Sequence, residues 1–495
     1  MKNYFAIKTD CNYYLLHQGE TCLLNTINET VYLIINYFNQ YNNLCIDDIL
    51  NDYRFINIPR KIILDNLAVV ERYEKSGIIS NNIKECSSRF NANSCVTEHD
   101  VKRLMADISE ITFEVTQRCN LNCKYCGYGD FYCKYDKRVG ADLSFNYAKN
   151  IIDYIFRFKK DLYPQKKNGP FNFSFYGGEP LLNIELIREI VNYCEATYPQ
   201  VEFTYSMTTN GTLLQKYSEF IVNNDIKISV SLDGDQFNNS YRVYKNDRES
   251  FQDIINNVKF FQENHPHFYE RKINFISVLH NRNSIIEIEK FFLTKFNKIP
   301  VVSELSTNGI LPSKVKSFKN LFKNVADSYH KYYNCPNTKL SVEILNTTPE
   351  IVSFHSLIGM NTGHCINNFS DILVKPNKLP TTGTCLPFQK SIFLTVNGKL
   401  MPCESIGNEF VYGNVTNNDV DVDFLQVANE FNDRLLLIKK QCYSCYLLEN
   451  CQECVYMIIN SDKKCRNHMD YEQFKIYVTD LLVEIENINH INNKN

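Results

Sequence analysis

No segment of the 495-residue chain reaches the roughly 18 uncharged apolar residues of a membrane-spanning helix. The amino terminus, MKNYFAIKTD, also lacks an apolar run of signal-peptide length. Both absences predict a cytoplasmic protein. Net charge is nearly absent too, formally −3. With no uncompensated Lys and Arg cluster to neutralise phosphates, no nucleic acid and no membrane is expected as a partner. Tryptophan is missing while Asn, Lys, Ile and Tyr abound, the composition of an AT-rich coding sequence, which excludes no function. Structural disulfides are a further expected absence, because cytosolic thiols stay reduced. The 19 cysteines therefore read, where they cluster, as metal ligands.

A hydrophobic content of 44% and a charged content of 22% are those of a folded chain. Its length suggests about two to four domains. Residues 1–80 read as a small winged-helix-like unit. Apolar runs Tyr13–Leu16 and Cys22–Leu24 flank Gly19-Glu20-Thr21 as a hairpin would. Thr26 and Glu29 have capping-box spacing ahead of a helix over about 26–39; a second helix fits 46–53, and a third runs from Pro59 to Gly77. Residues 81–106 are polar and aperiodic, as a linker is. Strands are expected at 111–116, 171–176, 203–209, 227–232, 272–279 and 300–305, alternating with helical stretches such as Asn146–Phe158 and Asn183–Tyr193. Repeated βα units imply a parallel sheet, and six of them an α/β partial barrel rather than a closed eight-stranded one. Residues 311–360 are helical in tendency. From 361 to 470 the chain is cysteine-rich and short-stranded, with Ser391–Val396 followed by an Asn397-Gly398 turn. An amphipathic helix over 471–488 precedes INHINNKN, expected to fray.

The first expected strand of the alternating region, ITFEVT, runs into QRCNLNCKYCGYGD, which sets Cys119, Cys123 and Cys126 in a loop at the strand's carboxyl end. Three thiolates can hold three irons of a [4Fe–4S] cube and leave the fourth iron open. An open coordination site is a mark of catalysis. The competing reading is a zinc knuckle or plain buried thiols; zinc wants a fourth close ligand, and only Cys133 is near.

The spacing CxxxCxxC with Tyr125 before the last cysteine resembles the signature of the radical S-adenosylmethionine (SAM) superfamily. The resemblance implies an open iron that chelates the amine and carboxylate of SAM, and reductive cleavage to a 5′-deoxyadenosyl radical. Three more strand ends resemble family motifs. Gly177-Gly178-Glu179-Pro180 resembles the GGEP turn that contacts the SAM amino group. Thr209 and Asn210 in TTNG resemble ribose-side contacts. Ser231 and Asp233 in SLDG fit positions near ribose and carboxylate, with Arg242 as the downstream arginine. Taken singly, GGEP and Asn-Gly are also ordinary turns, and Arg242 could be a solvated or structural arginine. The chain departs from many relatives in reading DQFNNSYRVY where they carry a His-Asp pair.

Farther on come Cys385, Cys403, Cys442, Cys445, Cys451, Cys454 and Cys465, an array that resembles the SPASM extension of peptide- and protein-modifying radical SAM enzymes. That likeness implies two auxiliary [4Fe–4S] clusters, hence three in all. Cys442, Cys445, Cys451 and Cys465 would hold the outer one; Cys385, Cys403 and Cys454 the inner one, with Cys365 the candidate eighth ligand. The two residues between Cys451 and Cys454 are one fewer than the usual pattern has, and zinc is the competing reading of a four-thiolate site. Cys11, Cys22, Cys45, Cys86, Cys95, Cys194 and Cys335 have no such spacing and read as buried or incidental.

In this context residues 1–80 resemble a PqqD-like element that binds the leader of a ribosomally made precursor peptide, through an extended strand added to the hairpin edge near 12–24. A DNA-binding winged helix is the rival, weakened by the acidic residues that balance Arg60, Lys61, Arg72 and Lys75. The resemblance thus divides the chain into a recognition domain (1–80), a linker (81–106), a radical SAM partial barrel (107–340), a SPASM domain (341–470) and a terminal helix and tail (471–495). It implies a peptide maturase that crosslinks a precursor through a thioether or carbon–carbon bond, fed by an external electron donor of the flavodoxin or ferredoxin class. The substrate base is unassigned. The alternatives are a sulfatase-maturase-like protein oxidase and a non-catalytic iron–sulfur electron carrier, for which a SAM pocket would have no use.

Overall fold

A computed structural model describes residues 2, 4–18, 22–42, 44–79, 95–162, 169–324, 328, 382–448, 451, 453–458, 465 and 468–492. Cys86, Cys335, Cys365 and most of the expected linker lie outside the described residues. The chain divides into two compact units. One comprises Met1–Cys95, Tyr333–Thr384 and Asp433–Asn495; the other comprises Val96–Tyr332 and Cys385–Asn432.

In the first unit β1 (Tyr4–Lys8), β2 (Tyr13–Gln18) and β3 (Cys22–Ile27) form an antiparallel sheet in that order. The expected hairpin is β2–β3. The sequence does not announce β1, because YFAIK is buried on both faces and so shows no alternation. Tyr4, Ala6 and Leu15 join a core with α1 (Glu29–Tyr41), α2 (Ile46–Asn51) and α3 (Arg60–Lys75). Asn28 rather than Thr26 caps α1, accepting the Val31 N–H at 2.9 Å. Thr26 is taken up in β3, opposite Tyr14. On the sheet's other side Phe5, Ile7 and Leu16 pack against Phe474, Val478 and Leu482 of the final helix, Tyr471–Asn492. That helix runs to Asn492, into the segment expected to fray.

In the second unit the expected linker ends in a helix, α4 (Glu98–Asp107), opened by a capping box of Thr97 and Asp100. Its charge hid it: EHDVKRLMAD offers few apolar positions. There follow β4 (Glu110–Thr116), α5 (Phe145–Leu162), β5 (Phe171–Gly177), α6 (Ile184–Thr197), β6 (Phe203–Thr209), β7 (Lys227–Ser231), β8 (Ile273–Leu279) and β9 (Val301–Glu304). The six strands lie parallel in chain order, nearly residue for residue where the alternation predicts them. The fold is thus α/β with a mainly parallel sheet. β10 (Ile392–Leu394) adds to the far side of β4 in parallel, and β11 (Lys399–Met401), β12 (Gly413–Val415) and β13 (Val420–Asp421) continue antiparallel, giving ten strands among the described residues. Gly398, at φ +82°, makes the expected turn between β10 and β11.

Alternation assigns the two faces of this sheet different work. Phe171, Phe173 and Phe175 of β5 are buried, with Phe156 of α5 5.2 Å from Phe171 between ring centroids. Asn172, Ser174 and Tyr176 on the opposite face are only half-buried. Cross-strand neighbours there include Thr112, Ser174 and Ser206. A closed eight-stranded barrel fills its interior with bulky aliphatic residues; this face carries hydroxyls instead.

Candidate active site

The carboxyl ends of β4 to β8 converge on one region. β4 runs into the cysteine loop, whose backbone folds back on itself: the Cys126 N–H donates to the Cys123 carbonyl at 3.1 Å and the Gly129 N–H to Cys126 at 2.8 Å. A neighbouring segment clasps it, with Asn122 N–H donating to Val243 at 2.7 Å and Lys124 N–H to Tyr241 at 3.1 Å. The fold brings the three thiols close enough to interact electrostatically. Burial pushes the Cys119 thiol up to about 11 and the Cys123 thiol up to about 12. Thiols in that setting shed their protons when a cation takes their place. Among the described residues no three Cys, His, Asp or Glu side chains close on a point suited to a single ion. Three thiols from one loop are the donor set that a [4Fe–4S] cluster with one open iron takes. Cys133 is exposed and directs its Sγ to the Gly309 carbonyl at 3.3 Å.

At the end of β5 the two glycines serve the backbone itself. A Cβ on Gly177, at φ +132°, would meet the Thr116 carbonyl at 2.4 Å, and one on Gly178 the Arg118 carbonyl at 2.2 Å. The space is taken by the entry to the cysteine loop, bonded through Gly178 N–H to Thr116 and Glu179 N–H to Arg118, both at 2.8 Å. Glu179 is fully buried. Its Oε1 accepts from Thr209 Oγ1 at 2.8 Å and Leu181 N–H at 3.1 Å, and its Oε2 from Asn210 N–H at 2.7 Å. Burial outweighs these donors and raises its carboxyl to about 7. Asn210 completes the link to the loop: its Nδ2 donates to Asn120 Oδ1 at 2.8 Å and lies 3.8 Å from Cys119 Sγ. Pro180 is buried behind this turn and Ser231 is half-buried at the end of β7.

Asp233, just beyond β7, is fully buried. Arg242 reaches it through Nε at 3.1 Å and Nη2 at 3.2 Å, Val278 N–H donates at 3.0 Å, and the Tyr125 hydroxyl donates to Oδ2. Burial works to raise this carboxyl, but Arg242, then His280 and Tyr125, prevail and hold it at about 2. His280 at the end of β8 lies 3.6 Å away and is itself fully buried. Sequence reasoning missed it, since a lone histidine carries no spacing signal.

Of the later cysteines, the first unit brings together Cys442, Cys445, Cys451 and Cys465: the other three each act on the Cys442 thiol, which burial raises to about 12. Cys454 belongs to that unit; Cys385 and Cys403 belong to the other, half-buried.

An α/β sheet with a three-thiol loop at the end of its first parallel strand and a carboxylate turn beside it defines a class. The model for the radical SAM superfamily matches residues 113–292. An uncharacterised protein of Methanocaldococcus jannaschii is 30% identical over 275 residues, 54% of this chain and 85% of that one. The chain belongs to the radical SAM superfamily, and membership implies SAM and a [4Fe–4S] cluster as cofactors. Among its relatives, the radical SAM cyclopropyl synthase TigE of Paramaledivibacter caminithermalis is 25% identical over 468 residues, 90% of this chain and 86% of that one. A cysteine-type anaerobic sulfatase-maturating enzyme of Clostridium novyi is 28% identical over 192 residues, 38% and 48% of the two chains. Among the described residues no helix is long and apolar enough to cross a membrane.

Proposed function

We propose that this chain is a SPASM-type radical SAM maturase that modifies a ribosomally made precursor peptide. The observation that carries the reading is the second gathering of thiols, Cys442, Cys445, Cys451 and Cys465, in a chain already equipped with the three-thiol loop. Likeness to TigE along nearly the whole chain supports it. Cys119, Cys123 and Cys126 would hold the SAM cluster. The later four would hold an outer auxiliary cluster, and Cys385, Cys403 and Cys454 an inner one, with Cys365 as its further ligand. SAM bound at such a cluster supplies a 5′-deoxyadenosyl radical able to remove a hydrogen atom from an unactivated carbon.

The protein's part is to seat the reactants and exclude water. Tyr125, the turn Gly177–Pro180, Thr209, Asn210 and Ser231 would border SAM, with Asp233 and Arg242 fixing that border from behind. The hydroxyl-bearing sheet face gives a polar peptide somewhere to lie. β3 has a paired neighbour on one side only among the described strands, so its free edge can take the leader as an added strand. A cyclopropyl synthase closes a carbon–carbon ring, which favours the carbon–carbon over the thioether outcome here. An electron donor of the flavodoxin or ferredoxin class would feed the site.

Anaerobic reconstitution with SAM and strong reductant, followed by assay for 5′-deoxyadenosine, tests the enzyme. Incubation with any short leader-bearing peptide found encoded beside the gene, read by mass for loss of hydrogen, tests the substrate. The likeness to a sulfatase-maturating enzyme keeps a second reading: activity on a sulfatase-derived peptide, and none on a leader-bearing one, would establish that alternative.

A further inference from the structure

Behind the cysteine loop stands a histidine that no motif marks. The Nδ1 of His280 accepts the backbone N–H of Arg282 at 3.1 Å, which leaves any donating to Nε2; Asn283 Nδ2 stands 3.4 Å from Nε2. Nε2 also faces Asp233 Oδ2 at 3.6 Å, long for a hydrogen bond but well placed to orient a carboxylate. The same oxygen receives the Tyr125 hydroxyl and Arg242 Nε. The imidazole also walls in the Tyr125 ring at 5.4 Å between centroids, and meets Tyr241 edge-on at 5.0 Å. Tyr125 sits between two of the loop cysteines, and the Tyr241 carbonyl holds the loop's Lys124 N–H. One buried ring thus touches the loop's anchor and its clasp.

We propose that His280 is a positioning residue for the SAM cluster: acting through Asp233 and Tyr125, it fixes the Cys123–Cys126 segment and so the way SAM seats beside it. This rests on the assignment of Cys119, Cys123 and Cys126 as the cluster's ligands. Groups one layer behind metal ligands typically change affinity or activity by roughly 10- to 100-fold when removed. A histidine that merely fills space would change stability alone.

The test uses the full chain, reconstituted anaerobically as wild type, His280→Ala, His280→Asn and His280→Gln. Iron content, the electron paramagnetic resonance spectrum of the reduced protein with and without SAM, and SAM affinity are measured. His280→Ala is expected to keep its iron, to lose most of the SAM-induced spectral change and to bind SAM roughly 10-fold more weakly, the low end of that range. His280→Gln, whose amide can still reach Asp233, should recover most of both. His280→Asn keeps an acceptor for Arg282 but loses the arm toward Asp233, so it should behave as His280→Ala and decides the matter where the alanine variant fails to fold. Wild-type spectra and affinity in the Ala or Asn variant would overturn the proposal, as would equal loss of iron in all three variants. If replacing the three loop cysteines with Ala leaves the SAM-induced spectral change intact, the cluster assignment itself fails, a result separate from any behaviour of His280.

Discussion

Two carboxylates just beyond the ends of β5 and β7 are driven in opposite directions. Asp233 is held at about 2 against an ordinary 3.8, its burial overcome by Arg242, His280 and Tyr125. A depressed carboxyl contributes stability above its unfolded value, which is lost as pH falls from 3.8 toward 2. Asp233→Asn leaves Arg242 buried without a counter-charge, and breaking such a pair costs about 3–5 kcal/mol. Urea unfolding at pH 7 should show that loss, with the gap to wild type narrowing in acid. Glu179 has only neutral donors around it, and burial raises it from 4.5 to about 7. The sign reverses: the folded chain binds the extra proton, so the contribution is fully present below pH 4.5 and is lost as pH rises through 7. Melting of cluster-free protein between pH 5 and pH 8 should therefore slope more steeply downward in wild type than in Glu179→Gln. Equal slopes would mean that another group titrates there.

At the scale of the element, the glycine turn of β5 and the entry to the cysteine loop share one backbone layer. Gly178→Ala places a carbon where the Arg118 carbonyl lies at 2.2 Å, and backbone cannot move aside as a flexible side chain does. The expected result is a displaced loop, read as iron content well below wild type after reconstitution. In the first unit, Phe474 from the final helix is fully buried against Phe5 and Tyr446. Phe474→Ala should cost about 3–5 kcal/mol, measured by denaturation, with faster proteolytic release of the β1–β3 segment. These two sites mark what the sequence made legible. The parallel strands and the loop cysteines were readable because alternation and ligand spacing are local signals. The packing of the final helix, the addition of β10 to β4 and the place of His280 were not, since each pairs residues far apart in sequence. Gly177 and Gly178 make room for Thr116 and Arg118, partners that no local spacing names.

For the whole molecule, the proposed function assigns cleavage of SAM to one cysteine set and use of the radical to the other. Cys119, Cys123 and Cys126 lie in one unit and Cys442, Cys445, Cys451 and Cys465 in the other. A three-cluster protein carries about twelve irons, four per [4Fe–4S] cluster. Replacing Cys442, Cys445 and Cys465 together with Ser should remove about a third of that iron while leaving the SAM loop untouched. The variant should then still form 5′-deoxyadenosine under strong reductant and fail to convert the precursor peptide. Iron and sulfide analysis beside product assays on one preparation checks both halves. Full iron content with normal peptide conversion would show that these thiols are structural. Loss of SAM cleavage as well would show that the units depend on each other for folding, and proteolysis of the variant would then show both units opened rather than one.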